Sequence, residues 1–176
     1  MKIYTKTGDK GEKGFIGGRA SKSNLLFDVL GTLDELNSVL GIAVSKANAI
    51  EELKNMMLKI QSAILTIGGF FAGSEFTYNL KNEANVLEQS IDLMEKDLEP
   101  LKNFILPGSS NLGAYLHYAR SICRRAERSI IIFEGSNDLN VLRKTGYNPQ
   151  NILFSEVKIY INRLSDWLFV AARWEN

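Results

Sequence analysis

Five stretches of this sequence set apolar residues three and four positions apart, and that recurrence dictates helices that bury one face each. The first begins near Thr32 and puts Leu36, Val39, Leu40, Ala43, Val44 and Ala47 on one side. Thr32 and Glu35 stand at capping-box spacing, suited to satisfying free N–H groups of a first turn. The second runs from about Ile50 to Phe71 with Leu53, Met57, Ile60, Ile64 and Ile67 inward. Its Gly68-Gly69 pair is expected to weaken the end or permit close packing. The third, from about Glu83 to Glu99, uses Leu87, Ile91, Met94 and Leu98, and Pro100 stops it. The fourth runs from about Ser110 to Phe133 through Leu112, Leu116, Ala119, Cys123, Ala126 and Ile130. The fifth, from about Gln150 to Trp174, uses Val157, Ile161, Leu164, Leu168 and Ala171. Helices of ~22 residues are ~33 Å long, enough to lie side by side in a bundle. Strand alternation is almost absent. Gly8, Gly11, Gly14, Gly17 and Gly18 predict a loop outside the bundle up to about Phe27. The stretch from Glu134 to Pro149, rich in Gly, Asn and Asp, reads as a mobile connection.

With 176 residues and 45% hydrophobic content, the expectation is one all-α domain spanning 1–176. A net charge of +1 gives no global field for nucleic acid or anionic lipid, so an anionic ligand must meet a local cluster of cations. One cysteine, Cys123, and one histidine, His117, allow neither an internal disulfide nor a zinc site of protein ligands alone. No run of about 18 apolar residues exists, and the polar start Met1-Lys2-Ile3-Tyr4-Thr5-Lys6 lacks an apolar signal core. A cytoplasmic protein without a membrane span is therefore expected.

Two regions carry residues with chemical potential. In Thr5-Lys6-Thr7-Gly8-Asp9-Lys10-Gly11-Glu12-Lys13-Gly14, glycines let N–H groups approach phosphate oxygens while hydroxyls and lysines add hydrogen bonds and charge. Thr5 and Thr7 share a side if Ile3 to Thr7 is extended. The P-loop pattern is missing, and Gly-Asp-Lys-Gly also makes an ordinary surface turn. On the fourth helix, Arg120, Arg124 and Arg128 recur every four residues, with Arg125 beside them and Glu127 three after Arg124. Guanidiniums so placed repel one another unless anions lie between them, and a triphosphate accepts their two-pronged hydrogen bonds. A solvated face balanced by Glu127 or by carboxylates of other helices is the alternative.

On the fifth helix, Asn162 interrupts Ile159-Tyr160-Ile161 and suits either a ribose or phosphate contact or a buried structural hydrogen bond. Asp34 and Glu35 read as helix-start carboxylates favoured by the macrodipole. His117 is expected to make a structural hydrogen bond; a di-iron bundle would need Glu where Ala114 stands. Phe104-Ile105-Leu106-Pro107-Gly108 could cap the bundle core or form a wall for a large flat apolar ligand.

Together, Tyr4-Thr-Lys-Thr-Gly-Asp-Lys-Gly11, Gly31-Thr-Leu-Asp-Glu-Leu-Asn-Ser38, Phe104-Ile-Leu-Pro-Gly108, Arg120-Ser-Ile-Cys-Arg-Arg-Ala-Glu-Arg128 and Ile161-Asn-Arg-Leu-Ser-Asp166 resemble, in that order, the propanediol-utilisation type of ATP:cob(I)alamin adenosyltransferase. The resemblance implies a five-helix bundle with a Gly-rich nucleotide-binding loop, assembled as a homotrimer with ATP between adjacent subunits. It implies ATP contacts at Thr5, Lys6, Thr7, Gly8, Lys13, Gly14, Lys22, Arg124, Arg125, Ala126, Glu127, Arg128 and Asn162. Asp34 and Arg120 match a carboxylate–arginine pair reaching across the subunit contact, and Phe104 matches the aromatic residue facing the corrin. The family's Pro-Gly-Gly is here Pro107-Gly108-Ser109, and the connection from Gly135 to Tyr147 looks longer than usual.

Arg124, Phe104, Asp34 and Arg120 are the implied catalytic group; ATP, Mg²⁺ and cobalamin are the implied ligands. A reductase and an adenosylcobalamin-dependent acceptor enzyme are the implied further partners. Cob(I)alamin is itself the nucleophile, which suits a chain lacking a His–Asp or Cys–His system. A nucleotide-binding regulator and a purely structural bundle module are the competing classes.

Overall fold

The computed structural model describes the chain except residues 1, 3, 5, 17, 48–49, 77, 109, 144–152 and 176. Its elements are β1 (Glu12–Phe15), β2 (Gly18–Ser21), α1 (Leu25–Lys46), α2 (Glu51–Phe71), α3 (Leu80–Glu95), α4 (Asn111–Glu134), α5 (Asn140–Arg143) and α6 (Leu153–Trp174). The protein is mostly helical. Six α-helices rather than five occur among the described residues, because the four-residue α5 follows α4 after a 3-10 turn at Asn137–Leu139. The glycine-rich segment is also not a loop throughout. β1 and β2 pair antiparallel, Glu12 opposite Ser21 and Phe15 opposite Gly18. Both strands are short and largely exposed, so their residues carry no apolar alternation to read.

α1 starts at Leu25, well before Thr32, because two side chains cap it there. Asn24 Oδ1 accepts from the Leu26 N–H at 3.0 Å, and Asp138 Oδ2 accepts from the Leu25 N–H at 2.9 Å. Thr32 is thus inside the helix, where its hydroxyl donates to the Asp28 carbonyl at 2.7 Å instead of capping. Asp34 and Glu35 also lie inside α1, beyond the reach of the terminal dipole. α3 ends at Glu95, earlier than expected, and then tightens. Lys96, Asp97 and Leu98 each donate to a carbonyl three residues back.

α1 packs against α2 and α4, α4 against α6, and α6 against α3, giving the lateral order α2–α1–α4–α6–α3. The buried faces include Leu36 and Leu40 of α1, Ile60 and Ile64 of α2, Leu116 and Ile130 of α4, and Ile161 and Leu168 of α6. Each such side chain contributes about 1.5–3 kcal/mol through burial. The expected core positions Val44, Ile91 and Leu98 are only half-buried. Phe70, Phe71, Phe133 and Phe154 close one end of the bundle edge to face, with Phe71 and Phe154 centroids 5.4 Å apart. The β-hairpin attaches at that end through the Ile16 N–H, which donates to the Ala72 carbonyl at 2.8 Å.

The α4–α6 seam is close. A Cβ on Gly113 would fall 3.1 Å from the Ala172 carbonyl and 2.5 Å from a Glu175 carboxylate oxygen. Further along, the fully buried Cys123 thiol donates to the Ile161 carbonyl at 3.2 Å. Burial pushes that thiol's pKa up, so it stays protonated. No helix of the described residues is long and apolar enough to cross a membrane.

Candidate active site

Within the hairpin end, residues 7–10 form a turn and Gly11 follows at φ +83°, a conformation that favours glycine. Lys22 Nζ donates to the Gly8 carbonyl at 2.9 Å, and a terminal Arg19 nitrogen donates to the Thr7 carbonyl at 2.5 Å. These bonds fold the turn back on β2 and hold lysine charge beside bare backbone. Lys13 Nζ lies 5.6 Å from the Phe27 ring centre, and Gly14 is within β1. Lys6 has φ +57°, uncommon for a residue with a side chain, so the chain is not extended at that position and the condition for Thr5 and Thr7 to share a side is not met there. Thr5 lies outside the described residues.

The arginine series divides by helix face. Arg124 and Arg128 are exposed, and Arg128 donates to the Arg124 carbonyl at 3.0 Å. Arg125 turns the other way and pairs with Glu35 of α1. An exposed pair of that kind contributes about 0–1 kcal/mol. Ala126 is fully buried, and its side chain packs into the core. Asn162 is exposed, not buried, and its amide donates to Glu127 at 3.0 Å, joining α6 to α4.

Arg120 is half-buried and sits where two clefts meet. One lies over α6, between Glu88, Asp92 and Glu95 of α3 and Arg120 and Arg124 of α4, with Arg163, Ser165, Asp166 and Phe169 below. The other is formed by Leu101 to Ile105 with Arg120 and Phe169. Phe104 is fully exposed and Leu106 nearly so; neither caps the core. The Arg120 guanidinium lies 5.9 Å from the Phe169 ring centre, and its Nε is buried with no hydrogen-bond partner. His117 packs edge-on to the same ring at 5.9 Å, and its Nδ1 makes none of the hydrogen bonds expected of it. Burial first, then the Arg120 charge, holds its pKa below the usual histidine range.

Asp34 lies elsewhere. It borders an apolar groove between α1 and α2 with Leu33, Ile64, Leu65, Gly68 and Gly69, and Leu65 is 70% exposed. A Cβ on Gly68 would meet nothing within 4 Å, so close packing inside the chain does not require that glycine. Asp34 and Arg120 therefore border different clefts of one chain.

Phe169 and the α3 carboxylates escaped the sequence reading. A signal existed for Phe169: it follows Asn162 and Asp166 on the polar stripe of α6, where an aromatic is out of place. The carboxylates of α3 looked like an ordinary solvated face, and only the fold sets them opposite the arginines.

The fold and these clefts define a helix-bundle protein with a cationic helix face that leads to an exposed aromatic strap. The sequence matches the cobalamin adenosyltransferase family over residues 3–175. It is 40% identical over 184 positions to a corrinoid adenosyltransferase of Bacillus subtilis (strain 168), covering 100% of this chain and 87% of that one. It is 35% identical to the human corrinoid adenosyltransferase MMAB, covering 98% of this chain and 68% of that one. The fold superposes with a TM-score of 0.82, at 35% identity, on a phenylalanine-to-alanine variant of a PduO-type ATP:corrinoid adenosyltransferase from Lactobacillus reuteri complexed with cobalamin and ATP, covering 99% and 93% of the two chains. The chain belongs to the cobalamin adenosyltransferase family and is a corrinoid adenosyltransferase.

Proposed function

We propose that the protein transfers the 5′-deoxyadenosyl group of ATP to cob(I)alamin, giving adenosylcobalamin and triphosphate, at a site shared by adjacent subunits of a homotrimer. The observation that carries this reading is Arg120, which borders both the cleft reached by Arg124 and the cleft walled by Phe104. One residue thus joins a cationic surface, suited to polyphosphate, to an apolar one, suited to a corrin.

In this reading the cobalt(I) electron pair attacks the 5′ carbon of ATP. The Co–C bond forms as the C–O bond to the triphosphate breaks, and cobalt rises formally from I to III. The residues that act are those that orient the carbon and receive the leaving charge. Arg124 and Arg128 hold triphosphate oxygens, with Lys6, Thr7, Gly8, Lys13, Gly14 and Lys22 of the hairpin end closing on the nucleotide and Thr5 adjoining them. Arg125 and Glu127 hold their helix faces to Glu35 and Asn162, and keep Asn162 beside the nucleotide.

No group of three His, Cys, Asp or Glu side chains among the described residues is arranged to hold a metal ion. Mg²⁺ entering with ATP would help neutralise the charge that develops on the leaving triphosphate. Asp34 reaches Arg120 of the adjacent subunit, since the two border different clefts of one chain and the open α1–α2 groove around Asp34 is apolar. The cytoplasm is the compartment in this reading, with a reductase supplying electrons and an adenosylcobalamin-dependent enzyme receiving product.

The test is to mix protein, Mg²⁺-ATP and chemically reduced cobalamin and follow the visible spectrum. The adenosylcobalamin spectrum should appear with release of triphosphate. A nucleotide-binding regulator would bind ATP and leave it intact, which would overturn the proposal.

A further inference from the structure

Two sides of α3 face open space. Glu88, Asp92 and Glu95 border the cleft with the arginines of α4. On another side, Val86, Ser90, Leu93 and Asp97 recur at steps of four, three and four, the spacing with which one helix seats another. No helix is seated there. α2 packs on α1 and α3 packs on α6, and between α2 and α3 a groove of about 500 Å³ stays open. Leu93 is 61% exposed on it, and Met56 of α2 and Val86 are only half-buried. Trp167 and Trp174 of α6 form its floor. Their indole N–H groups donate to Ser90 Oγ at 3.0 Å and to Asp97 Oδ2 at 3.1 Å, which ties the floor to α3.

The charges at the edges say what can cover this groove. Glu52 and Asp97 line it, and no lysine or arginine does. Neither carboxylate makes an ion pair within 4 Å among the described residues. A second copy of the same face would set these carboxylates against their own kind. An anionic lipid surface would be repelled by them. An apolar stripe flanked by cations satisfies both the floor and the edges. The residues from Val86 to Asp97 span about 17 Å of helix, or roughly three turns.

We propose that the α2–α3 groove docks an amphipathic helix of a partner protein. Its apolar face covers Leu93, Met56 and Val86, and its flanking lysines or arginines meet Glu52 and Asp97. The groove shares no lining residue with the two clefts at Arg120 or with the groove beside Asp34, so a docked helix leaves all three open. This docking face does not depend on the reading of the catalytic site.

Both tryptophans of the chain line the groove, so intrinsic fluorescence reports its occupancy. The probe is a synthetic helix of leucine and lysine, ~14 residues long to cover the three turns, titrated into the whole protein. A matched peptide carries glutamate in place of lysine. The lysine peptide should move the emission of half-buried Trp174 to shorter wavelength and saturate at one peptide per chain. Leu93→Ala and E52Q/D97N should each weaken its binding roughly fivefold. Melting temperatures should hold, because all three side chains are exposed and asparagine keeps an acceptor for the Trp174 N–H. Asp92→Asn, bordering the other cleft, should leave the affinity unchanged. Absence of a saturable shift, equal binding of the glutamate peptide, or wild-type affinity in both groove variants overturns the proposal. Loss of the wild-type assembly in sedimentation of Leu93→Ala would make a second copy the occupant. A shift with phosphatidylserine vesicles that both groove variants lose would make it a membrane. Either result also overturns it.

Discussion

Arg124 is exposed on α4, and its own side chain makes no ion pair among the described residues. Its removal should therefore cost function rather than fold. A charged hydrogen bond contributes about 1.5–3 kcal/mol, and leaving-group charge increases that. Arg124→Ala should lower kcat/KM for ATP by roughly ten- to hundredfold with no loss of melting temperature. Near-normal turnover would remove Arg124 from the mechanism. Phe104 is also fully exposed, so it can be changed without opening the core. An apolar ring pressed beneath the corrin would exclude the axial ligand of cob(II)alamin and ease the next electron's entry into the cobalt orbital. Phe104→Ala should then lose the four-coordinate Co(II) signal in electron paramagnetic resonance with ATP. It should also lose more activity from cob(II)alamin than from pre-reduced cob(I)alamin. Equal losses, with the signal intact, would assign Phe104 to general binding.

Among the elements, α1 has a start set partly from far away. Its first N–H groups meet Asn24 and Asp138, and the latter is 113 positions along the chain. Asn24→Ala should destabilise the protein by about 1 kcal/mol, measured as a shift in the chemical denaturation midpoint at unchanged slope. A neutral effect would leave the Asp138 carboxylate as the sufficient cap. That remote contact also explains what the sequence hid. α2, α4 and α6 follow the apolar spacing closely, because each buries a long continuous stripe. The Thr32 start failed because capping-box spacing recurs inside helices, and Asn24 directly before Leu25-Leu26 was the better local signal. The arginine wall was legible from its four-residue spacing, whereas the wall facing it comes from α3 and becomes a wall only through tertiary packing.

At the scale of the whole molecule, the site as proposed is incomplete in one chain. Asp34 and Arg120 border separate clefts, and the groove beside Asp34 is apolar with Leu65 largely exposed. Exposed apolar area of that kind marks a surface that another chain can cover. Wild type should sediment as a trimer. In a double-mutant cycle, Asp34→Asn and Arg120→Lys should each lower activity and show a coupling of about 0.5–3 kcal/mol, the range for residues in contact. Additive effects would exclude direct contact, and a fully active monomer in sedimentation-controlled assays would remove the shared site.

The buried thiol on the α4–α6 seam gives the chain a built-in clock. Cys123 is the only cysteine, fully buried and held protonated. An aromatic disulfide reagent should not label it while the seam is shut, so labelling counts openings of the two helices that carry the cleft floor and its arginine wall. Labelling should be slow in native buffer and slower with saturating ATP, because a ligand that binds only the closed form suppresses opening. Fast labelling that ATP leaves unchanged would mean that the seam breathes independently of the nucleotide. Nothing needs to be added to the chain for this measurement: the reporter already sits on the buried face of the helix whose outer face carries the arginines.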